Sequence, residues 1–287
     1  MKWFKLFRPH HWVKNSLLFV PLIFSENLLD FTLLTKSIIA FLYFCLLSSG
    51  VYIINDIFDV EQDRQHPLKR NRPIAAGTIS VRSAATIAAL LLTLSLFGSF
   101  KLQPMFGIIA VIYVGIELLY TLRLKKIVIL DAFCVAAGFV LRVAGGTVAI
   151  QAPISNWLFI CAGLLALFLI FAKRRTELLR LDKGAANHRQ VLSQYNTYYL
   201  DQMITLTATT TLGVYLIYIL DADTVAKFGK TFALTIPFVF YGIFRYQFLI
   251  YHKADTHEDP VGNLLSDIPL LASCVLWVLS VVLIMYL

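Results

Sequence analysis

Along most of this chain of 287 residues the apolar positions do not alternate with polar ones but run on unbroken, and charged residues collect in short clusters between the runs. The clearest run is SIIAFLYFCLLSSGVYII, residues 37–54, which carries no charge. About 20 mostly apolar residues carry a helix across a bilayer core. Runs of that kind fall at roughly 13–32, 37–56, 83–101, 105–122, 128–150, 154–172, 200–220, 231–251 and 268–287. The pattern predicts an all-α, polytopic integral membrane protein, a bundle of about nine transmembrane helices. The first run is the least regular, because its second half holds Glu26, Asn27 and Asp30. Continuous rather than alternating runs argue against a β-barrel.

Composition agrees: 59% of residues are hydrophobic and 15% charged, against roughly 45–50% and 25% in a soluble domain. The basic N-terminus MKWFKLFRPHHW lacks a short apolar stretch ending in a small-residue cleavage site, so it reads as an interfacial segment rather than a cleaved signal. With that end cytoplasmic, 19 Lys and Arg fall in inside segments and only Lys36, Lys101, Lys227 and Lys230 outside. This asymmetry predicts a cytoplasmic N-terminus and an odd number of spans. It also accounts for the net charge of +8 without a nucleic-acid partner. Cys45, Cys134, Cys161 and Cys274 all lie within runs and show no CxxC spacing, so neither disulfides nor a zinc site is expected. With no internal repeat or appended soluble region, residues 1–287 read as one transmembrane domain.

Function is sought in the two long inside loops, 55–82 and 173–199. The first begins NDIFDVEQDRQHPLKRNRP. If the helix continues past Ile54, Asp56, Asp59 and Asp63 fall at i, i+3 and i+7, with Asn55 four residues before Asp59. These groups then share one face. Carboxylates so gathered repel unless a cation neutralises them, and hard oxygen donors without His or Cys suit Mg²⁺. Arg64, Lys69, Arg70 and Arg72 follow at once and can hold phosphate oxygens. Acid ladder and basic cluster together read as a diphosphate clamp. The plainer alternative, a helix end meeting water, is disfavoured by the one-face spacing, the basic run and the turn residues Pro67, Pro73 and Gly77.

NDIFDVEQD resembles the NDxxDxxxD motif of the UbiA superfamily of intramembrane prenyltransferases. RPHHWVKN at 8–15, the stretch 55–77, LDAFCVAAGFVLRVAGG at 130–146, AKRRTEL at 172–178 and HEDPVGNLLSDIPL at 257–270 are similar to the branch that acts as polyprenyl-phosphate phosphoribosyltransferases. The resemblance implies a nine-helix UbiA-like bundle with its active site open to the cytoplasm and to lipid, and Mg²⁺ held through Asn55, Asp56, Asp59 and Asp63. Its substrates would be 5-phosphoribosyl 1-diphosphate and a polyprenyl phosphate for cell-envelope polysaccharide precursors. It also implies that Lys14 and Asn15 face the pocket, although interfacial anchoring explains them equally well.

Typical prenyltransferases of the superfamily carry a second Asp-rich motif after the sixth span, where this chain has Lys173, Arg174, Arg175 and Glu177. A basic cluster there can receive anionic oxygens directly, which favours a phosphoribosyl donor over a prenyl diphosphate. Simple positive-inside anchoring competes as a reading, chiefly for Arg175 and Arg180. Within a span, Arg142 needs a cavity or a partner, and either a substrate contact or a pair with Glu117 or Asp131 would serve. Arg245 poses the same choice. Lys125 is a candidate phosphate ligand. His66, His188, His252 and His257 have no ligand spacing, and Asp259 and Asp267 are expected to cap or brace the last inside loop. Besides lipid, a homo-oligomeric partner is compatible with the chain. Two other functions fit less well: an aromatic prenyltransferase predicts the missing second acidic cluster, and a divalent-cation transporter predicts a site near the midplane.

Overall fold

The computed structural model describes residues 2–65, 69–153, 155–181, 190–252 and 260–286. Pro67, His66, His188, His257 and Asp259, singled out above, lie outside the described residues, as does the middle of the 173–199 loop. The α-helices are α1 (Lys2–Phe7), α2 (Val20–Phe24), α3 (Phe31–Phe58), α4 (Val60–Gln65), α5 (Val81–Leu102), α6 (Pro104–Leu122), α7 (Leu130–Ala149), α8 (Asn156–Leu181), α9 (Thr197–Leu220), α10 (Ala222–Phe228), α11 (Ile236–His252), α12 (Pro260–Ser266) and α13 (Ile268–Tyr286). Short 3-10 turns at Pro9–Phe19, Lys69–Asn71, Leu124–Lys126, Gln190–Gln194 and Lys230–Thr235 join them.

Among the described residues, eight helices are long and apolar enough to cross a membrane. The run at 13–32 differs from expectation. It folds as the 3-10 segment Pro9–Phe19 followed by five residues of α2, then turns at Ser25–Asp30. Two local causes are visible. Glu26 adopts a positive φ of 61°, and Asp30 accepts bonds from the N–H groups of Thr32 (2.8 Å) and Leu33 (3.0 Å), so it caps α3 instead of ending an earlier helix. Ser80, Gln103 and Asn196 cap α5, α6 and α9 in the same way.

The chain forms two compact units, one from the described residues up to 153 and the other from those after 154. In the first, α3 packs against α5, α6, α7 and the Pro9–Phe19 segment. Its core gathers Leu18, Ala40, Phe44, Leu47, Val51, Phe106, Ala110, Tyr113 and Ala149. In lipid no hydrophobic force drives helices together, so close contact relies on small residues. Gly146 of α7 is such a point: a Cβ there would run into the Leu18 carbonyl oxygen and stand 2.9 Å from the Leu18 Cα. Gly146→Ala is therefore expected to lower stability by about 1–3 kcal/mol, read as a reduced Tm in detergent; an unchanged Tm would contradict the contact.

The second unit is pinned by charges within its helices. Arg175 of α8 bonds Asp201 of α9 at 2.5 Å and the Ile250 carbonyl of α11 at 3.2 Å. Arg245 of α11 meets Asp267 in a two-point pair at 2.9 and 3.0 Å, and Asp267 also accepts the Leu270 N–H that opens α13. Arg245 thus takes the acid-partner alternative, and Asp267 both caps and braces.

Candidate active site

α3 has 28 residues, about 42 Å at 1.5 Å per residue, against a hydrocarbon core of about 30 Å. Its charged end therefore has room to emerge. α3 stops at Phe58, Asp59 forms its C-cap, and α4 resumes at Val60, with the Asp63 N–H bonded to the Asp59 carbonyl at 2.8 Å. The near-continuous helix keeps Asp56, Asp59 and Asp63 on one side, as their spacing predicts.

A basic side chain holds each carboxylate. Arg72 Nη1 donates to Asp63 Oδ2 at 2.6 Å and to Asp56 Oδ1 at 3.0 Å, joining two acids through one guanidinium. Arg8 donates to the same Asp56 oxygen. Lys125 Nζ reaches Asp59 Oδ1 at 2.5 Å, and Asn55 Nδ2 donates to Asp59 Oδ2 at 3.1 Å. The Thr121 hydroxyl fixes the other side of Asn55, donating to its Oδ1 at 3.2 Å. Asp56 and Asp63 are buried, whereas Asp59 and Arg72 keep some exposure to solvent. In low dielectric such charge pairing replaces the lost hydration. Just past Lys125, Ile129 has φ 71° and ψ −49° with the Leu130 N–H bonded to the Val128 carbonyl at 2.8 Å. This tight γ-turn is costly for a β-branched residue, and it leads the Lys125 turn directly into α7.

Deeper in the same unit lies a second polar group. Arg142 Nε donates to Asn15 Oδ1 at 2.8 Å, Nη1 to the Gly138 carbonyl at 2.7 Å and Nη2 to the Tyr113 hydroxyl at 3.0 Å. Asn15 in turn donates to Ser48 at 3.2 Å and to the Cys45 sulfur at 3.4 Å. Arg142 thus bonds directly to an amide, a phenol and a carbonyl, while the acid named for it, Glu117, stays within its electrostatic reach. Tyr113 also hydrogen-bonds Glu117, and Lys14 lies within electrostatic reach of that carboxylate. The donors of Arg142 are engaged inside the protein, which makes it a strut between the N-terminal segment, α6 and α7.

The remaining expected residues divide. Arg64 is exposed and turns to Glu61 (2.8 Å) and the Ala75 carbonyl (3.4 Å), away from the carboxylates. Arg70 is exposed and Lys69 half-buried. Lys173, Arg174 and Glu177 belong to the second unit and stand on α8, which runs on to Leu181, and not in a loop. There Arg174, fully buried, bonds Glu177 at 2.7 Å, and Lys173 approaches the same carboxylate at 3.8 Å.

Arg8, Thr121 and Tyr113 were not singled out as site residues from the sequence. One signal was available. Cys45, Ser48, Ser49, Tyr52, Asn55, Asp56, Asp59 and Asp63 recur at helical spacing and draw a polar stripe down one side of an otherwise apolar span.

Among the described residues no three His, Cys, Asp or Glu side chains already converge as a metal-binding group. The donor chemistry nevertheless fits Mg²⁺. Asn55, Asp56, Asp59 and Asp63 offer oxygen only, and Mg²⁺ binds through one or two carboxylates while keeping waters and phosphate oxygens. It needs no cage of three acids.

Fold and site define a helical, polytopic membrane protein with a charge-balanced acidic cluster at the end of one span. The UbiA prenyltransferase family matches residues 22–261, and the chain belongs to that family. It is an integral membrane protein. The chain is 35% identical over 247 residues to a decaprenyl-phosphate phosphoribosyltransferase of Mycobacterium tuberculosis, covering 84% of this chain and 81% of the relative. It is 36% identical over 223 residues to a decaprenyl-phosphate phosphoribosyltransferase of Mycolicibacterium smegmatis, covering 76% and 70%. A UbiA homologue from Archaeoglobus fulgidus, solved with DMAPP and Mg²⁺, is similar with a TM-score of 0.76 and 19% identity over 99% of both chains. At that identity the likeness shows the fold.

Proposed function

We propose that this protein transfers the 5-phosphoribosyl group of 5-phosphoribosyl 1-diphosphate to a polyprenyl phosphate and releases diphosphate, as a step toward cell-envelope polysaccharide precursors. The observation that carries the reading is the pairing of acid with base along one helix end, Asp56 and Asp63 on Arg72 and Asp59 on Lys125. The relatives named for this chemistry support the choice of donor and acceptor. So does AKRRTEL, where Glu177 is matched by Arg174 and Lys173 and the second acidic motif of typical relatives is absent. The excess of basic residues in alternate loops supports a cytoplasmic N-terminus and active site in the cell's inner membrane.

Mg²⁺ held by Asn55, Asp56, Asp59 and Asp63 would supply charge neutralisation at the departing diphosphate. The protein's own residues do the rest. Arg72 and Lys125, already aligned on the carboxylates, present N–H donors to phosphate oxygens as charge builds on the leaving group. Lys69 and Arg70 lie on the same loop as Arg72 and add positive charge beside it. The bond from ribose C1 to the diphosphate oxygen breaks with its electron pair leaving on diphosphate, and a phosphate oxygen of the lipid forms the new bond to C1. That oxygen is already ionised, so no strong base is required, and we assign to Lys14 the holding of the lipid phosphate in an attacking position. The acceptor's tail stays in the bilayer throughout.

The test is to incubate purified protein with Mg²⁺, a polyprenyl phosphate and 5-phosphoribosyl 1-diphosphate labelled in the ribose. Label is expected in the lipid fraction. Label absent from lipid, with activity on a prenyl diphosphate and an aromatic acid instead, would overturn the reading.

A further inference from the structure

Arg8 stands outside the acidic segment, 48 positions before Asp56, yet donates to the same carboxylate oxygen as Arg72. Its placement is specific. Arg8 has φ 51° and ψ 59°, the left-handed region that an ordinary L residue adopts at a cost. The chain on both sides is fastened to α3: the Ser49 hydroxyl donates to the Phe7 carbonyl at 2.9 Å, and Trp12 Nε1 donates to Ser49 Oγ at 3.0 Å. The guanidinium lies 5.6 Å from the Tyr52 ring centre, one turn before Asp56 on the same helix. Backbone strain, a two-point latch and a ring contact thus converge to deliver one positive charge to one carboxylate.

With Arg8 counted, the acid cluster of Asp56 and Asp63 is matched by Arg8 and Arg72, beside the separate pair of Asp59 and Lys125. Without it the cluster carries one excess negative charge. An acid-rich cluster attracts a bare divalent cation, whereas a neutral one better tolerates a metal together with an anionic diphosphate. The two ligands differ in the sign of their net charge, so the same side chain acts on them in opposite directions.

We propose that Arg8 is a specificity-determining residue that sets the charge balance of the acidic cluster, favouring a metal–diphosphate complex over a bare divalent cation. This rests on the phosphoribosyl-transfer reading for the identity of the donor, but its electrostatic part is testable apart from turnover.

Arg8→Gly removes the charge and suits the left-handed backbone, so the latch to α3 is retained. Arg8→Lys keeps the charge, and Arg8→Gln, which keeps most of the side-chain length, repeats the test should the glycine variant not survive purification. Thermal unfolding in detergent would be titrated with Mg²⁺ alone and with inorganic diphosphate at fixed Mg²⁺, alongside kcat and KM for 5-phosphoribosyl 1-diphosphate. Arg8→Gly is expected to raise the half-saturating diphosphate concentration and the donor KM by about tenfold, leave the half-saturating Mg²⁺ concentration unchanged or lower, and keep the ligand-free Tm close to wild type. Arg8→Lys should restore most of the loss. Unchanged diphosphate affinity in Arg8→Gly, or loss of Mg²⁺ and diphosphate affinity together with a fall in Tm, would overturn the proposal, the second result showing a purely structural role. Wild-type protein that binds Mg²⁺ and diphosphate with the expected Arg8 dependence but puts no label into lipid would overturn the proposed reaction while leaving the role of Arg8 standing.

Discussion

Asp59→Asn is expected to reduce phosphoribosyl transfer by about 10²–10³-fold while the protein remains folded. The side chain is nearly isosteric, and the backbone of residue 59 carries the helix-joining bonds, with its N–H bonded to the Asn55 carbonyl and its carbonyl accepting from Asp63. Neither depends on the carboxylate. What the substitution removes is the charge that holds Lys125 at 2.5 Å and the second oxygen that receives Asn55 at 3.1 Å. An amide binds Mg²⁺ more weakly than a carboxylate and gives the ammonium a neutral partner, so metal and phosphate binding suffer together. The measurement is the initial rate of label transfer beside Tm in the same detergent. A rate within threefold of wild type would remove Asp59 from the chemistry.

Arg142→Met is expected to act on stability first. Three donors of Arg142 satisfy Asn15, the Gly138 carbonyl and Tyr113 in the interior of the first unit. Methionine has a similar unbranched shape and good helix propensity, so the loss reports the polar network more than a cavity. The two bonds to other segments, to Asn15 and Tyr113, contribute roughly 0.6–1.7 kcal/mol each, and leaving their buried partners and the Gly138 carbonyl of α7 itself unsatisfied adds to the loss. The sum is a destabilisation of about 2–5 kcal/mol, read from equilibrium unfolding in mixed detergent. A shift below about 0.5 kcal/mol would mean that these groups find other partners and that the strut is dispensable.

The sequence and the structure part company at identifiable places. The apolar runs at 37–56 and after reappear as helices because length and hydropathy alone decide whether a segment can cross lipid with its backbone satisfied. The run at 13–32 reappears only as a broken helix, 3-10 and then α, running antiparallel to α3, because Asp30 serves as the cap of α3 and Glu26 sits in a turn. Likewise α8 extends through AKRRTEL to Leu181, since Lys, Arg, Glu and Leu are good helix formers and the end of an apolar run does not end a helix. Arg142 was legible as a charge that needed company, and Glu117 was legible as a neighbour, but the groups that accept its hydrogen bonds were not. The partner on the N-terminal segment, Asn15, is 127 positions away.

By itself, then, the sequence determined that the chain is helical and membrane-spanning, and that Asp56, Asp59 and Asp63 share one face, because spacing along a single helix follows from its 3.6-residue period. Only the tertiary structure decided which cations meet them. Arg72 is local, but Lys125 lies 66 residues from Asp59 and Arg8 lies 48 from Asp56, and both arrive because α3 packs against its neighbours and the latch at Ser49 holds the N-terminal segment in place. Pairings between elements depend on how helices dock, and docking is fixed by side-chain shape at contacts such as Gly146 against Leu18, a quantity that no spacing within one segment contains.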